Sequence, residues 1–186
     1  MSDHEEAQPA CVVEIAETGD VFLVTGPEKL KLRVESLILK ATSKPFAAML
    51  GPNWTRGREQ PSSEKPVEIL LPEDNAVSLK YICAVTHSRS QMIPKDVSAQ
   101  DILDIAILAD KYDFFDALEM ASRSWLQVCE KNEAGNMALM AAAFVFGNAQ
   151  SFRQTSKALV MDYAGSYLEI YTERIEKIMD WRAVCK

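Results

Sequence analysis

Histidine, cysteine and glycine are scarce in this sequence of 186 residues, which contains 2, 4 and 7 of them. The glycines form no phosphate-binding G-x-G-x-x-G motif, and the catalytic patterns H-E-x-x-H and G-x-S-x-G do not occur. Cys11, Cys83, Cys129 and Cys185 lie far apart and lack the C-x-x-C spacing that is typical of zinc sites. We therefore expect reduced thiols, no metal, no cofactor and no enzymatic activity.

Long apolar runs are also missing. None reaches the length of about 18 residues that a membrane-spanning helix needs. The N-terminus begins with acidic residues, whereas a secretory signal begins with basic residues followed by an apolar stretch. We expect a cytoplasmic or nuclear protein that does not bind a membrane.

Negative charge predominates, because 27 Asp and Glu face 20 Lys and Arg and leave a net charge of -7. A protein that coats nucleic acid needs a dense basic surface, so we expect no direct nucleic-acid ligand. Basic residues exceed acidic ones only over 27–66, where they are spread along the chain. We interpret this segment as a solvated face.

His87 is the candidate for a general base, because it lies in the polar segment THSRSQ. A single histidine beside hydroxyl groups is more often a hydrogen-bonding partner in a loop than a catalytic group. We favour the structural interpretation, with a small enzyme that uses His87 or a cysteine as an alternative.

Short segments rich in β-branched and aromatic residues predict strands over 11–16 and 20–25, and the apolar segment VEILL predicts a core strand over 67–71. The alternation of apolar and basic residues in LKLRV predicts a strand over 30–34 with one solvated face. The strands over 20–25 and 30–34 are expected to form a hairpin. Apolar residues at helical spacing predict two short helices over 36–50, the second capped by Ser43. The Gly, Pro and Ser content of 51–66 predicts an exposed loop.

The second half of the sequence is expected to be helical. Helices are predicted over 75–85, 99–112 and 114–129, with a capping box from Ser98 to Asp101 and Asp113 as the cap of the third. In the tail, Gly147 is expected to end one helix. Ser151 and Gly165 are expected to begin and end the next one, and a last helix is predicted over Tyr167–Trp181.

The apolar phase of these elements predicts a core shared by strands and helices. Its expected members are Val21, Leu23, Leu39, Phe46, Ile69, Leu71, Ile82, Ile105, Leu108 and Leu118. Strands interleaved with helices favour an α+β fold.

Several segments resemble a known family when they are taken in order. They are DVFLV over 20–24, LRVESLILKATSKPF over 32–46, LPED over 71–74 and LADKYD over 108–113. Together they resemble a BTB/POZ domain, and the stretch THSRSQMIP and the later AFVFGNAQSF are most similar to its filamentous-fungal branch. The resemblance implies a helical cluster flanked by a small mixed sheet over 11–129, after a disordered acidic tail over 1–10. It also implies a C-terminal helical extension over 130–186.

The resemblance also implies a protein-interaction function, commonly as a homodimer. In the family, the first strand and the first helix form the dimer surface, which corresponds to Val12, Val13, Ile15 and Leu37. The alternative is that the segment CVVEIA pairs only within its own sheet. Trp54, a lone aromatic residue in the predicted loop, is a candidate partner contact.

The sequence departs from the family at the charged pocket. Many dimeric members place a basic residue opposite the strand aspartate, which is Asp20 here, but Ser36 occupies that position. A function of the Asp–Arg pair is therefore in doubt, and we expect Asp20 to cap or stabilise the first helix.

Four hypotheses about the function follow, and the one that the sequence supports best comes first. The first is a non-enzymatic, self-associating BTB/POZ scaffold or adaptor whose partner is a second copy of itself. The second is a substrate adaptor for a cullin-RING ubiquitin ligase, in which the helices after residue 130 support the contact with a cullin scaffold. The small enzyme and a transcription or chromatin-associated regulator that uses residues 27–66 come last.

Overall fold

The computed structural model describes residues 11–51, 62–127 and 132–179. It has helices and a four-stranded mixed sheet, which confirms the predicted α+β class. The chain divides into two compact units, Met1–Arg89 and Ser90–Lys186. The predicted boundary at 129–130 stays a prediction, and the predicted acidic tail over 1–10 lies outside the described residues.

The first unit contains the sheet and three helices. Their bounds are β1 Val12–Glu14, β2 Val21–Thr25, β3 Leu30–Val34, α1 Ser36–Thr42, α2 Lys44–Met49, β4 Val67–Leu71 and α3 Ala76–Thr86. Each predicted strand and helix of this region is therefore confirmed, although β1 is shorter than the predicted 11–16. The described parts of the predicted loop, Gly51 and residues 62–66, form neither helix nor strand.

The sheet has the strand order β1-β3-β2-β4, so β1 and β4 are its edges. β2 and β3 pair antiparallel, which confirms the predicted hairpin, and Leu23 lies opposite Leu32 in this pair. β1 runs parallel to β3, and β4 runs parallel to β2. Parallel neighbours require crossovers, and α1 and α2 lie in the connection that leads to β4.

The two faces of the sheet differ in polarity. The inner face carries Val21, Leu23, Leu32 and Val34, which are fully buried. We call the opposite side the outer face, and its residues are Val12, Glu14, Phe22, Val24, Lys31, Arg33, Glu68 and Leu70. This alternation is typical of a sheet that packs one face on a core, although Val24 on the outer face is also buried.

The two short helices α1 and α2 meet at a capped junction. The Ser43 hydroxyl accepts a hydrogen bond from the Phe46 amide at 3.1 Å, which confirms the predicted cap. Pro45 is tolerated in the first turn of α2 because amides there have no partner within the helix. The junction buries Leu39 and Phe46 completely.

The second unit is helical in its described part. Its elements are a 3₁₀ turn over Ser90–Met92, α4 Ala99–Tyr112, α5 Phe115–Trp125, α6 Glu133–Val145, α7 Ala149–Asp162, α8 Tyr167–Ile170 and α9 Glu173–Glu176. α4 packs on α6, and α6 packs on α7. The predicted capping box at the start of α4 is confirmed, because the Ser98 hydroxyl accepts the Asp101 amide at 3.1 Å.

Two predicted helix caps were wrong. Asp113 adopts a left-handed conformation with φ 53° and ends α4, so it does not cap α5. The N-cap of α7 is Asn148, three residues before the predicted cap, because the Asn148 side chain accepts the Ser151 amide and Ser151 lies within the helix. Asparagine is as good an N-cap as serine, and the sequence offered both.

The last predicted helix was also wrong in extent. Instead of one helix over Tyr167–Trp181, the described residues form the short helices α8 and α9, separated at Tyr171 and Thr172. Leu168 on α8 is 74% exposed, whereas Ile175 on α9 is buried. Gly147 ends α6 as predicted, with φ 65°, whereas Gly165 follows the end of α7 without a left-handed conformation.

The predicted core residues are buried with one exception. Val21, Leu23, Leu39, Phe46, Leu71, Ile82, Ile105, Leu108 and Leu118 are each at most 9% exposed. Ile69 is half-buried, because β4 is an edge strand whose side chains have a neighbouring strand on one side only.

Candidate functional site

Among the described strands, β1 has a neighbour on one side only, β3, and it presents main-chain groups on its other side. The Lys31 amide donates to the Cys11 carbonyl at 3.0 Å, and the Ile15 amide donates to the Arg33 carbonyl at 3.1 Å. In a parallel pair, alternate residues of a strand form the hydrogen bonds to the neighbouring strand. Cys11, Val13 and Ile15 therefore bond to β3. The amides and carbonyls of Val12 and Glu14 point the other way, and we call these groups the β1 edge.

The predicted interface residues differ in exposure. Val12 is 46% exposed, Leu37 on α1 is 72% exposed and Val13 is half-buried. Ile15 is only 1% exposed, so it belongs to the interior rather than to a contact surface. All four were expected on one surface because the resemblance implies that the first strand and the first helix form the dimer surface. Trp54 lies outside the described residues.

Charged groups border the β1 edge on the outer face. Arg33 approaches Glu14 at 3.6 Å, and its guanidinium also donates to the carbonyls of Gly19 at 3.0 Å and Ser63 at 2.8 Å. The same guanidinium lies 5.9 Å from the centre of the Phe22 ring. Arg33 therefore compensates the Glu14 carboxylate and ties β1 to the hairpin. The alternation over 30–34 predicts a solvated position for Arg33 but does not predict its contact with Glu14.

The two charged-pocket positions, Asp20 and Ser36, come together in the structure. The Asp20 carboxylate accepts the Ser36 amide at 2.7 Å and the Ser36 hydroxyl at 2.6 Å. This arrangement supplies the acceptor that the start of α1 needs, and the N-cap residue Glu35 makes no side-chain cap of its own. Asp20 thus stabilises the first helix, as predicted from the substitution at Ser36.

Gly19 permits a close approach between the segment that leads into β2 and the end of β3. A Cβ atom at Gly19 would lie 2.7 Å from the carbonyl oxygen of Val34, which belongs to the backbone and cannot rotate away. Only glycine lets these two segments approach so closely. Because Asp20 follows Gly19 and Ser36 comes two residues after Val34, this approach is consistent with the contact between Asp20 and Ser36.

His87 joins the end of α3 to the start of α1. Its Nε2 accepts the Glu35 amide at 3.0 Å, and its Nδ1 lies 2.8 Å from the Cys83 carbonyl. A nitrogen that accepts an amide proton is unprotonated, so the ring proton is on Nδ1. Burial lowers the pKa of His87 below its usual value, which favours the neutral ring. Both ring nitrogens are thus used in structural bonds, which supports the interpretation favoured from the sequence.

The described cysteines have different environments. Burial raises the pKa of Cys83 to about 12, so its thiol is inert at neutral pH. Cys11 is exposed at the beginning of β1, and Cys129 and Cys185 lie outside the described residues. Among the described residues, no three histidine, cysteine or carboxylate side chains are grouped as metal ligands would be.

The second unit contains a groove of about 700 Å³ that the sequence analysis missed. α5 forms one wall, and the junction of α6 and α7 forms the other; we call it the α5–α7 groove. Phe115 and Phe146 meet edge to face, with ring centres 6.3 Å apart, and the walls carry polar side chains such as Gln127 and Gln154. The segment AFVFGNAQSF supplies one wall, with Gly147 and Asn148 at the helix junction, but it does not by itself predict a groove.

Comparison with protein-family models finds no match, and neither does comparison with curated proteins. The resemblance to BTB/POZ domains therefore rests on the sequence segments given above and stays a proposal. Within residues 11–51, 62–127 and 132–179, every helix is too short or too polar to cross a lipid bilayer.

Proposed function

We propose that this chain is a non-enzymatic protein-interaction module that associates with a second copy of itself, as a scaffold or adaptor of the BTB/POZ kind. It acts in the cytoplasm or the nucleus. The observation that carries the proposal is the β1 edge, where Val12 and Glu14 present main-chain donors and acceptors. An open strand edge is a template for pairing with another chain.

The exposed apolar side chains near the start of the fold support the same proposal. Leu37 is 72% exposed on α1, whereas Leu39 on the same helix is fully buried. The first strand and the first helix are the elements through which the resemblance implies dimerisation. Asp20 and His87 anchor the start of α1 by hydrogen bonds, so this surface is presented on a fixed helix.

Sedimentation velocity with matched variants tests the proposal. Val12→Lys and Leu37→Lys each put a charge on the proposed surface and should shift the protein toward the monomer. Leu70→Lys is the control, because Leu70 is 69% exposed on the outer face but lies on the opposite edge strand. If all three variants sediment alike, the assignment of Val12 and Leu37 to the dimer surface is contradicted. Ile15 is unsuitable because its burial makes a charge there a test of folding.

The resemblance implies a second candidate, a substrate adaptor for a cullin-RING ubiquitin ligase, and we propose the α5–α7 groove as its contact site. The groove has the volume of a site for a small ligand or a few residues of a peptide, and its aromatic pair offers an apolar anchor. Purified cullin should then be retained by the immobilised chain, and Phe146→Asp should abolish the retention. Retention that survives this change would place the contact elsewhere, and no retention would contradict the adaptor function.

A further inference from the structure

The β1 edge has a spacing that is complementary to itself. In an antiparallel pair, residues that exchange both hydrogen bonds alternate with residues that exchange none. Val12 and Glu14 are the residues with outward main-chain groups, and Val13 lies between them. A second β1 placed antiparallel can therefore set Val12 opposite Glu14 twice, with four hydrogen bonds between the chains. The two-fold axis then passes beside Val13.

Other alignments make poorer use of the same groups. A shift by one residue would bring the outward groups of Val12 opposite those of Val13, which are already bonded to β3. A shift by two residues would pair Val12 only with Val12 of the second copy, or Glu14 only with its Glu14. The other residue of each chain would then have no partner in the opposite β1. The self-complementary alignment is therefore the one that satisfies all four outward groups on each chain.

The charges at the edge permit this pairing. Glu14 would lie beside Val12 of the second copy on the outer face, so the two carboxylates are not directly opposite each other. Arg33 also compensates each Glu14 at 3.6 Å. Like charges opposite each other would destabilise a strand pair, and this alignment avoids them.

The other edge of the sheet differs in the residues that flank it. By the same alternation, the main-chain groups of Glu68 and Leu70 point outward from β4, because the Val67 amide bonds to the Asp20 carbonyl at 3.0 Å. Prolines flank this strand at both ends, at Pro66 and Pro72, and a pairing on β4 cannot be extended there because proline supplies no amide donor. β1 has no proline within 11–16, which favours β1 over β4 as the paired edge.

We propose that a second copy of the chain pairs with the β1 edge in an antiparallel, two-fold arrangement, with Val13 of each copy adjacent across the axis. The proposal deepens the self-association proposed above and rests on it. Two four-stranded sheets would thereby form one continuous sheet of eight strands. The contact is short, so the dimer should be reversible, with a dissociation constant on the order of micromolar.

Disulfide cross-linking tests the alignment. Cβ atoms of a directly opposed, non-bonded pair are about 4.5 to 5.5 Å apart, and diagonal neighbours are about 7 to 8 Å apart. In a background with Cys11, Cys129 and Cys185 changed to serine, Val13→Cys should therefore form a disulfide dimer on oxidation, because Cα atoms beyond about 7 Å cannot be bridged without movement. Val12→Cys should remain monomeric on a non-reducing gel.

Ile69→Cys is the matched control, since Ile69 has the corresponding half-buried position on β4. It should form no disulfide dimer. A cross-link through Ile69 in place of Val13 would overturn the choice of edge, and a cross-link through Val12 would overturn the alignment.

Hydrogen exchange of the unchanged protein gives a second measurement that needs no variant. The amides of Val12 and Glu14 should exchange at least about tenfold more slowly at high concentration than after dilution, whereas the Val13 amide should be protected in both. A sedimenting dimer without Val13 cross-linking and without this protection would overturn the alignment and leave self-association standing. A monomer at all concentrations would overturn both proposals.

Discussion

The hydrogen bonds between Asp20 and Ser36 lead to a quantitative prediction. Asp20→Ala removes the acceptor of two bonds, at 2.7 and 2.6 Å, and leaves the Ser36 amide at the start of α1 without it. Loss of a helix cap costs about 0.5–2 kcal/mol, and a hydrogen bond to a charged group contributes about 1.5–3 kcal/mol. The site is half-buried and Ser36 is 7% exposed, so we expect a loss of about 2–4 kcal/mol in the free energy of unfolding.

Graded variants separate the contributions to this loss. Ser36→Ala keeps the amide bond and removes the hydroxyl bond, so it should cost about 1 kcal/mol. The double variant should cost less than the sum of the single ones, because both remove the same bond between the two side chains. Glu28→Ala, which changes an exposed carboxylate in the turn between β2 and β3, is the control and should cost less than about 0.5 kcal/mol.

Urea denaturation followed by circular dichroism measures these differences. With a slope of about 2 kcal/mol per molar urea, the middle of the usual range, the loss for Asp20→Ala corresponds to a midpoint that is lower by about 1–2 M. A change no larger than that of Glu28→Ala would refute the reasoning that Asp20 anchors α1.

Three further predictions concern the interior. The free energy of unfolding should fall as the pH drops below 6.5, because the pKa of His87 is lower in the folded protein and the unfolded chain binds the proton more readily. A His87→Gln variant should show a smaller change of this free energy with pH. An equal change in both proteins would contradict the role of the ring. Ile105→Ala should cost about 2–5 kcal/mol in urea denaturation because Ile105 is fully buried, and a loss near zero would show that α4 is not central. In a variant with Cys129 and Cys185 replaced by serine, Cys11 should react rapidly with a thiol reagent, and Cys83 should react only after unfolding. Rapid reaction of both thiols in the folded protein would contradict the burial of Cys83.

The strands and helices of the first unit could be predicted because local signals agreed with tertiary packing. The alternation in Leu30–Val34 matches a strand with one buried face, and Ser43 before Pro45 marks a helix start. Ile69 was the exception, because the sequence of a strand does not say whether it lies at an edge.

The order of the strands in the sheet could not be predicted from the sequence either. The parallel pairing of β1 with β3 depends on contacts between distant parts of the chain, and β1 contributes only Val12–Glu14 to the sheet. The burial of Ile15 follows from that pairing, so its assignment to a surface could not be corrected from the sequence.

The candidate site was predictable only where a residue pattern had a local meaning. The departure at Ser36 predicted that Asp20 would stabilise α1, and the two side chains do meet. The link from His87 to Glu35 spans 52 positions, and the α5–α7 groove combines three helices, so neither has a signature within one segment.

Sedimentation velocity of the unchanged chain tests the central claim, self-association, most directly. Samples from about 1 to about 100 µM span the affinity expected for a short strand contact. The account predicts a sedimentation coefficient that rises with concentration from that of a 20.8 kDa monomer to that of a particle of twice this mass. A coefficient that stays at the monomer value over the whole range would contradict it.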